Sequence, residues 1–312
     1  MLCLSADDLS EKTGLSKARL RYLEARFPSH IQRRLFDPEG RFYSESHIRS
    51  FQELDVSDSA LKASPKGKLL VFASGKGGVG KTSLAVNLCV AAVLHGCQVT
   101  LVDGDLGMAN AHILLGHSPK KNLSHLLFEN TPLQDILLQM PYGLNFIPGG
   151  GGIWELAYLN EKQMSLLSDA VNTLCTQTDF LVIDAPAGIG PSVLGWVLSA
   201  TELVVITTPS KTALLDAYGL IKVALEKGYG GTIQVIVNQV KSASQGELIF
   251  QHLDQCAQKF LKCSLTYLGS VRKDLHFEKT QNSGTPLMLH PERSPAHTTL
   301  THLANRLFIG GR

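Results

Sequence analysis

Neither sign of charge dominates this sequence. Its 29 Lys and Arg are nearly balanced by 27 Asp and Glu, for a formal net charge of +2. The chain as a whole therefore lacks the field that draws a protein to nucleic acid or an anionic membrane, and any basic surface must be local. Cysteine is sparse: Cys3, Cys89, Cys97, Cys175, Cys256 and Cys263 form no CxxC pair and no spacing suited to zinc or an iron–sulfur cluster. A reduced thiol set is expected. No apolar run approaches the roughly 18 residues that cross a bilayer. Met1 to Ser10 carries Asp7 and Asp8 instead of the basic-then-apolar order of a signal peptide. The expectation is a soluble cytoplasmic chain, at most peripheral at the inner face of the plasma membrane. No internal repeat or low-complexity tract is present.

What is present divides in two. A chain of 312 residues can bury one large core and a small satellite. Short helices and turns run to about Leu54, and a stretch rich in Ser, Lys and Pro follows, from Asp55 to Lys68. This gives a small domain over residues 1–55, a linker over 56–67 and a large domain over 68–312. In the large domain, β-branched apolar runs predict strands at 69–73, 99–102, 144–148, 180–184, 203–207, 233–238 and 265–270, alternating with helical stretches. Such alternation implies an α/β fold, a doubly wound, mostly parallel sheet covered by helices on both faces.

Directly after the first predicted strand comes Ser74-Gly-Lys-Gly-Gly-Val-Gly-Lys-Thr82, then a helical run from Ser83 to about His95. Gly75 to Thr82 fits GxxxxGK[ST] in the strand–helix setting that the motif requires. The nucleotide seat is thus expected at Gly75, Lys76, Gly77, Gly78, Val79, Gly80, Lys81, Thr82 and Ser83. The glycines let backbone N–H groups turn toward phosphate oxygens, Lys81 reaches the β and γ phosphates, and the Thr82 hydroxyl ligates Mg²⁺. With Lys76 inside the loop, the pattern resembles the MinD/ParA branch of P-loop ATPases, which reads KGGxGKT. The resemblance implies that Lys76 reaches across a homodimer to the partner's nucleotide, with ATP and Mg²⁺ between two subunits.

Asp103 and Asp105 close the second strand, at the carboxyl edge where ligands of open α/β sheets bind. A carboxylate there either orients an attacking water or holds the metal's hydration shell; a capped turn is the structural alternative. By resemblance, Asp105 positions the water and Asp103 supports the metal region, so Lys76, Lys81 and Asp105 are the expected catalytic set. Leu181-Val-Ile-Asp184, followed by Pro186 and Gly188, reads as a Walker-B strand and switch II. There Asp184 holds Mg²⁺ through water and Gly188 supplies a backbone that moves. Asn238 ends a later strand, and in the resembled family an asparagine there bonds adenine. Gly269 to Asp274 corresponds to a base-contacting loop that often reads IPxD, with Arg272 here in place of the proline.

Two longer stretches, from Asp103 to Leu127 and from Thr207 to Lys222, are similar to the FlhG/FleN group of MinD-like ATPases, which control flagellar number and placement. Ser210 and Lys211 stand where that group has Glu-Pro, and a whole module replaces its short N-terminal activating peptide. Metal-carrier relatives need cysteines near switch II or a CxxC near the C-terminus, and neither occurs. That group ends in an amphipathic membrane helix. Here Leu300, Leu303, Leu307 and Phe308 share one helix face, which reads either as core packing or as a short anchor flanked by Arg306 and Arg312.

In the small domain, Leu4 to Lys12, the turn Thr13 to Ser16 and Lys17 to Ala25 read as helix, turn, helix. The order of elements to Leu54, with a two-stranded wing over Arg33 to Tyr43, resembles a MerR-type winged helix-turn-helix. Lys17, Arg19, Arg21, Arg26, Arg33, Arg34 and Arg41 outweigh Glu24, Asp37 and Glu39. Contact with DNA phosphates through Lys17, Arg19, Arg21, Arg33, Arg34 and Arg41 is one reading, and docking of a protein is the other. The leading expectation is a slow ATPase switch that engages a stimulating or cargo protein. A nucleotide-gated DNA-binding regulator and a ParA-type DNA partition ATPase are the alternatives.

Overall fold

The computed structural model describes residues 6–15, 48–49, 52, 67–150, 161–291 and 293–310. The chain divides into two units, Met1–Lys66 and Gly67–Arg312. In the first, helix α1 (Ala6–Thr13) buries Leu9 and stops at Gly14, whose φ of 73° is one that side chains rarely adopt. Gly14 N–H closes the turn on Ser10 O at 3.0 Å, and the Ser10 hydroxyl bonds Leu15 O at 2.6 Å. The first helix and its glycine turn thus match the expected pattern. The second helix, the wing and Lys17, Arg19, Arg21, Arg33, Arg34 and Arg41 lie outside the described residues.

Among its described residues the second unit is built on eight strands. They are β1 (Lys68–Ser74), β2 (Val99–Asp103), β3 (Leu138–Gln139), β4 (Asn145–Ile147), β5 (Phe180–Ala187), β6 (Glu202–Thr207), β7 (Thr232–Val240) and β8 (Thr266–Arg272). The sheet order is β3-β4-β2-β5-β1-β6-β7-β8, and all described pairs are parallel except β3 with β4. All seven predicted strands are present. The edge strand β3 is additional, and its two residues are too few to leave a periodic signal. Chain order reverses around β1, which lies between β5 and β6, and this opens a crevice at the carboxyl ends of the strands.

Successive residues of the central strands face opposite sides. Val71, Ile183, Val205 and Val235 join one core with helices α2 (Leu123–Glu129), α3 (Glu161–Thr176), α4 (Pro191–Ser199), α5 (Lys211–Glu226) and α6 (Ala243–Cys256). Phe72, Val182, Val204 and Ile236 join the other with α7 (Lys81–Leu94) and α8 (Pro295–Ala304). Helix α7 is buried nearly all round, from Ser83 to Ala92, which explains its apolar, unpatterned sequence.

Leu300, Leu303, Leu307 and Phe308 are all buried, and Phe308 meets Phe180 edge-on at 5.0 Å. Arg306 donates to the carbonyls of Leu268 and Tyr267 at 2.6 and 2.9 Å. The core thus occupies the face that the anchor reading required. Among the described residues no helix is long and apolar enough to cross a membrane.

Candidate functional site

The glycine loop runs from the end of β1 to the start of α7, as the motif demands. Gly78 and Gly80 have φ of 77° and 86°, and a Cβ built on Gly78 or Gly77 meets nothing within 4 Å, so the loop backbone is open on that side. At Gly75 a Cβ would come within 2.1 Å of Asp216 O, so only glycine lets the loop rest on α5. The Ser74 hydroxyl donates to Lys76 O at 3.0 Å, and Gly188 N–H donates to Ser74 O at 2.8 Å. The last bond joins Gly188, at φ 104°, to the strand that carries the loop.

Lys81 and Asp184 are both buried and form a direct ion pair, with the Thr82 hydroxyl 3.5 Å from the same ammonium. Each supplies the counter-charge that burial of the other requires. Asp103 lies opposite Asp184 in the β2–β5 register. Its Oδ1 accepts Asp105 N–H at 3.2 Å, and its Oδ2 accepts Asn110 N–H and Ala111 N–H at 3.0 and 2.9 Å. Asp103 therefore shapes the 104–111 loop through both oxygens. Burial, and then the charge of Asp184, push its carboxyl upward against these amides and Lys81. Asp105 is half-buried, and its Oδ1 accepts Met108 N–H at 2.9 Å. Gly104 closes this corner: its N–H meets Asp184 O at 2.9 Å, its carbonyl accepts Trp196 Nε1–H at 3.1 Å, and a Cβ there would strike Ile183 at 2.8 Å.

A cleft of about 650 Å³ opens beside the loop. Gly78, Gly80, Lys81, Thr82, Ser83 and Asn238 line it, as do Arg272, Lys273 and Asp274 of the expected base loop. Asn238 Nδ2–H donates to Val79 O at 2.8 Å, which fixes its amide against the glycine loop. Asn110, Ile113, Leu114, Gln239 and Phe277 also line the cleft and were not anticipated. Gln239 carried a usable signal in its position next to Asn238, and its φ of 58° is rare for a side chain. Gly75, Lys76, Gly77, Asp103, Asp105, Asp184, Pro186 and Gly188 do not line this cleft. Lys76 is exposed, and its Nζ donates to Thr212 Oγ1 at 3.0 Å.

Asp274 is the N-cap of helix α9 (Leu275–Ser283), accepting His276 N–H at 2.8 Å, and its other oxygen accepts Ala296 N–H from α8 at 3.2 Å. Burial pushes its carboxyl up, but these amides outweigh it and hold the group below the usual carboxylate range. A depressed carboxyl contributes stability above its unfolded pKa, and that contribution is lost as pH falls through the folded pKa. Asp274→Ala should therefore cost about 1 kcal/mol near pH 7, as for other N-caps. The difference should shrink once pH drops below about 3.9. Urea unfolding of both chains across that range measures it, and a pH-independent difference would refute the assignment.

A glycine loop between a central strand and a buried helix, with a lysine and strand-end carboxylates at the reversal of strand order, defines a P-loop nucleotide-binding domain. The ParA family, described as "NUBPL iron-transfer P-loop NTPase", matches residues 66–308, and the chain belongs to this MinD/ParA family of P-loop NTPases. It is 36% identical to the antiactivator FleN of Pseudomonas aeruginosa over 208 residues, covering 66% of this chain and 74% of FleN. It is 31% identical to the flagellum site-determining protein YlxH of Helicobacter pylori, over 65% of this chain and 69% of YlxH. Among solved structures, the cell division ATPase MinD of Pyrococcus furiosus aligns at TM-score 0.65 and 25% identity, over 77% of this chain and 97% of MinD. MinD of Pyrococcus horikoshii, solved with Mg-ADP, aligns at TM-score 0.67 and 25% identity, over 78% of this chain and 97% of that one.

Proposed function

We propose that the chain is an ATP- and Mg²⁺-dependent dimerisation switch that hydrolyses ATP slowly and so times its hold on a partner protein. One observation carries the reading: of the two loop lysines, Lys81 is buried and paired with Asp184, while Lys76 is exposed and its ammonium meets the Thr212 hydroxyl. An exposed loop cation held by a neutral hydroxyl is available to a second subunit. The site also fits the ligand pair, with open loop backbone over Gly77 and Gly78, a buried ammonium, and a carboxylate and hydroxyl together at Asp184 and Thr82.

In this reading the 75–83 backbone and Lys81 hold the phosphates and Asn238 holds the base. Thr82 and Asp184 would hold Mg²⁺, which would neutralise phosphate charge there. When ligand arrives, Lys81 turns from Asp184 to the phosphates. Asp103 keeps the 104–111 loop, and with it Asp105, beside the nucleotide, while Asp105 orients water. The Gly188 bond to Ser74 links switch II to the strand end that carries the loop. Likeness to FleN and YlxH supports regulation of flagellar number or site as the biological output. The iron-transfer description does not extend to this chain, which has no CxxC to carry iron.

Light-scattering mass in solution tests the switch. With Mg²⁺ and a non-hydrolysable ATP analogue the mass should double, whereas with ADP it should not; a single-subunit mass in every state would overturn the reading. Residues 1–55 are proposed as a DNA-contacting module joined by the 56–67 linker to the ATPase domain at 68–312. The local basic excess around Arg19 and Arg21 supports this. Duplex-DNA anisotropy should then rise with the analogue for the full chain and fail for an Arg19→Ala/Arg21→Ala chain.

A further inference from the structure

The loop lysine outside the cleft is held by a short hydroxyl chain. Lys76 Nζ donates to Thr212 Oγ1 at 3.0 Å, and Thr212 Oγ1 lies 2.9 Å from Ser210 Oγ. The backbone beneath is fixed too, by the Ser74 hydroxyl on Lys76 O and by the close seat of Gly75 on Asp216. Lysine has a flexible four-carbon stem, so a fixed backbone alone does not orient its ammonium. The acceptor on α5 does, and it holds the charge at the exposed start of that helix.

The chemistry of the acceptor matters. Thr212 accepts from Lys76 and remains able to donate to Ser210, so the two hydroxyls polarise one another in one direction. Both are neutral and exposed. A neutral acceptor orients the ammonium without cancelling its charge, whereas a carboxylate would hold it as an ion pair.

We infer that Thr212 is a positioning residue for Lys76, aiming the ammonium outward so that an approaching subunit meets it already oriented toward phosphate. This rests on the reading of Lys76 as the lysine that acts across the dimer. Preorganisation of this kind strengthens association by lowering the ordering penalty at contact.

The test uses the full chain with Mg²⁺ and a non-hydrolysable ATP analogue, reading the dimer dissociation constant by sedimentation, with ADP affinity as the control for loop integrity. Thr212→Val should weaken dimerisation about 3- to 10-fold, the range of one ordinary net hydrogen bond, since exposure to water weakens this charged one. Thr212→Ser, which keeps the hydroxyl, should stay within about twofold of the parent. In a Lys76→Ala background, Thr212→Val should add nothing, because its effect passes through the lysine. Unaltered dimerisation of Thr212→Val, or an equal loss with and without Lys76, would overturn the inference while leaving Lys76 itself intact. If Lys76→Ala alone dimerises like the parent, the cross-dimer lysine falls, and the role of Thr212 with it.

Discussion

A Lys81→Ala chain should lose at least about a hundredfold in affinity for a fluorescent ATP analogue, because the change removes a buried cation of the cleft and leaves phosphate charge uncompensated. The structure adds a second expectation. Lys81 is the partner of buried Asp184, and Asp103 faces Asp184 across the strand pair. Removing the lysine leaves Asp184 buried without its counter-charge and beside Asp103, so stability should fall as well, by about 3–5 kcal/mol, the range for breaking a buried ion pair. The two effects separate in a Lys81→Ala/Asp184→Asn chain. Removing the stranded charge should restore most of the urea midpoint, but nucleotide affinity, compared without Mg²⁺ so that the metal role of Asp184 does not enter, should stay lost. Affinity returning together with stability would mean that Lys81 serves the fold and the phosphates are held elsewhere, as would parental affinity in the single variant.

The same pair illustrates what could be read from sequence. Lys81 and Asp184 were legible separately, because a glycine loop after an apolar strand and an acid ending another such strand are local patterns. Their direct pairing was not, since it depends on β5 lying beside β1, and strand order is not written in hydrophobic periodicity. Asn238 was legible for the same local reason as Asp184, and Val79 as its partner was not. Ile113, Leu114 and Phe277 escaped because nothing distinguishes them from ordinary helix residues until the fold brings residues 110–114 and 272–277 to the same cleft. The C-terminal helix face was readable as apolar but not as to what covers it. The sheet, Phe180 and α7 provide the cover, and all three are remote in sequence. Asp103 was readable in two ways, by resemblance as a metal-region carboxylate and by residue type as the cap of a turn. The three backbone N–H groups from 105 to 111 on its oxygens follow the second pattern, whose partners the sequence did not name.

That arrangement bears on the carboxylate beside it. Asp105→Ala should leave nucleotide binding intact and lower turnover by about 10²- to 10⁴-fold, the range for removing a group that assists proton transfer. Asp105 is suited to the role because one oxygen is committed to Met108 N–H, while Oδ2 makes no hydrogen bond among the described residues. Asp103 fixes the loop from below, so removing the Asp105 side chain should not collapse it. The ATP-bound state should then accumulate, and the variant should sediment as a dimer in ordinary Mg-ATP, where the parent cycles back to single subunits. Phosphate release under single-turnover conditions measures the chemical step directly. A parental rate would assign the water to another group, with Asp105 left as the side chain that closes the Met108 turn. A slow rate without dimer accumulation would keep the catalytic role of Asp105 and remove hydrolysis as the event that ends the dimer's life.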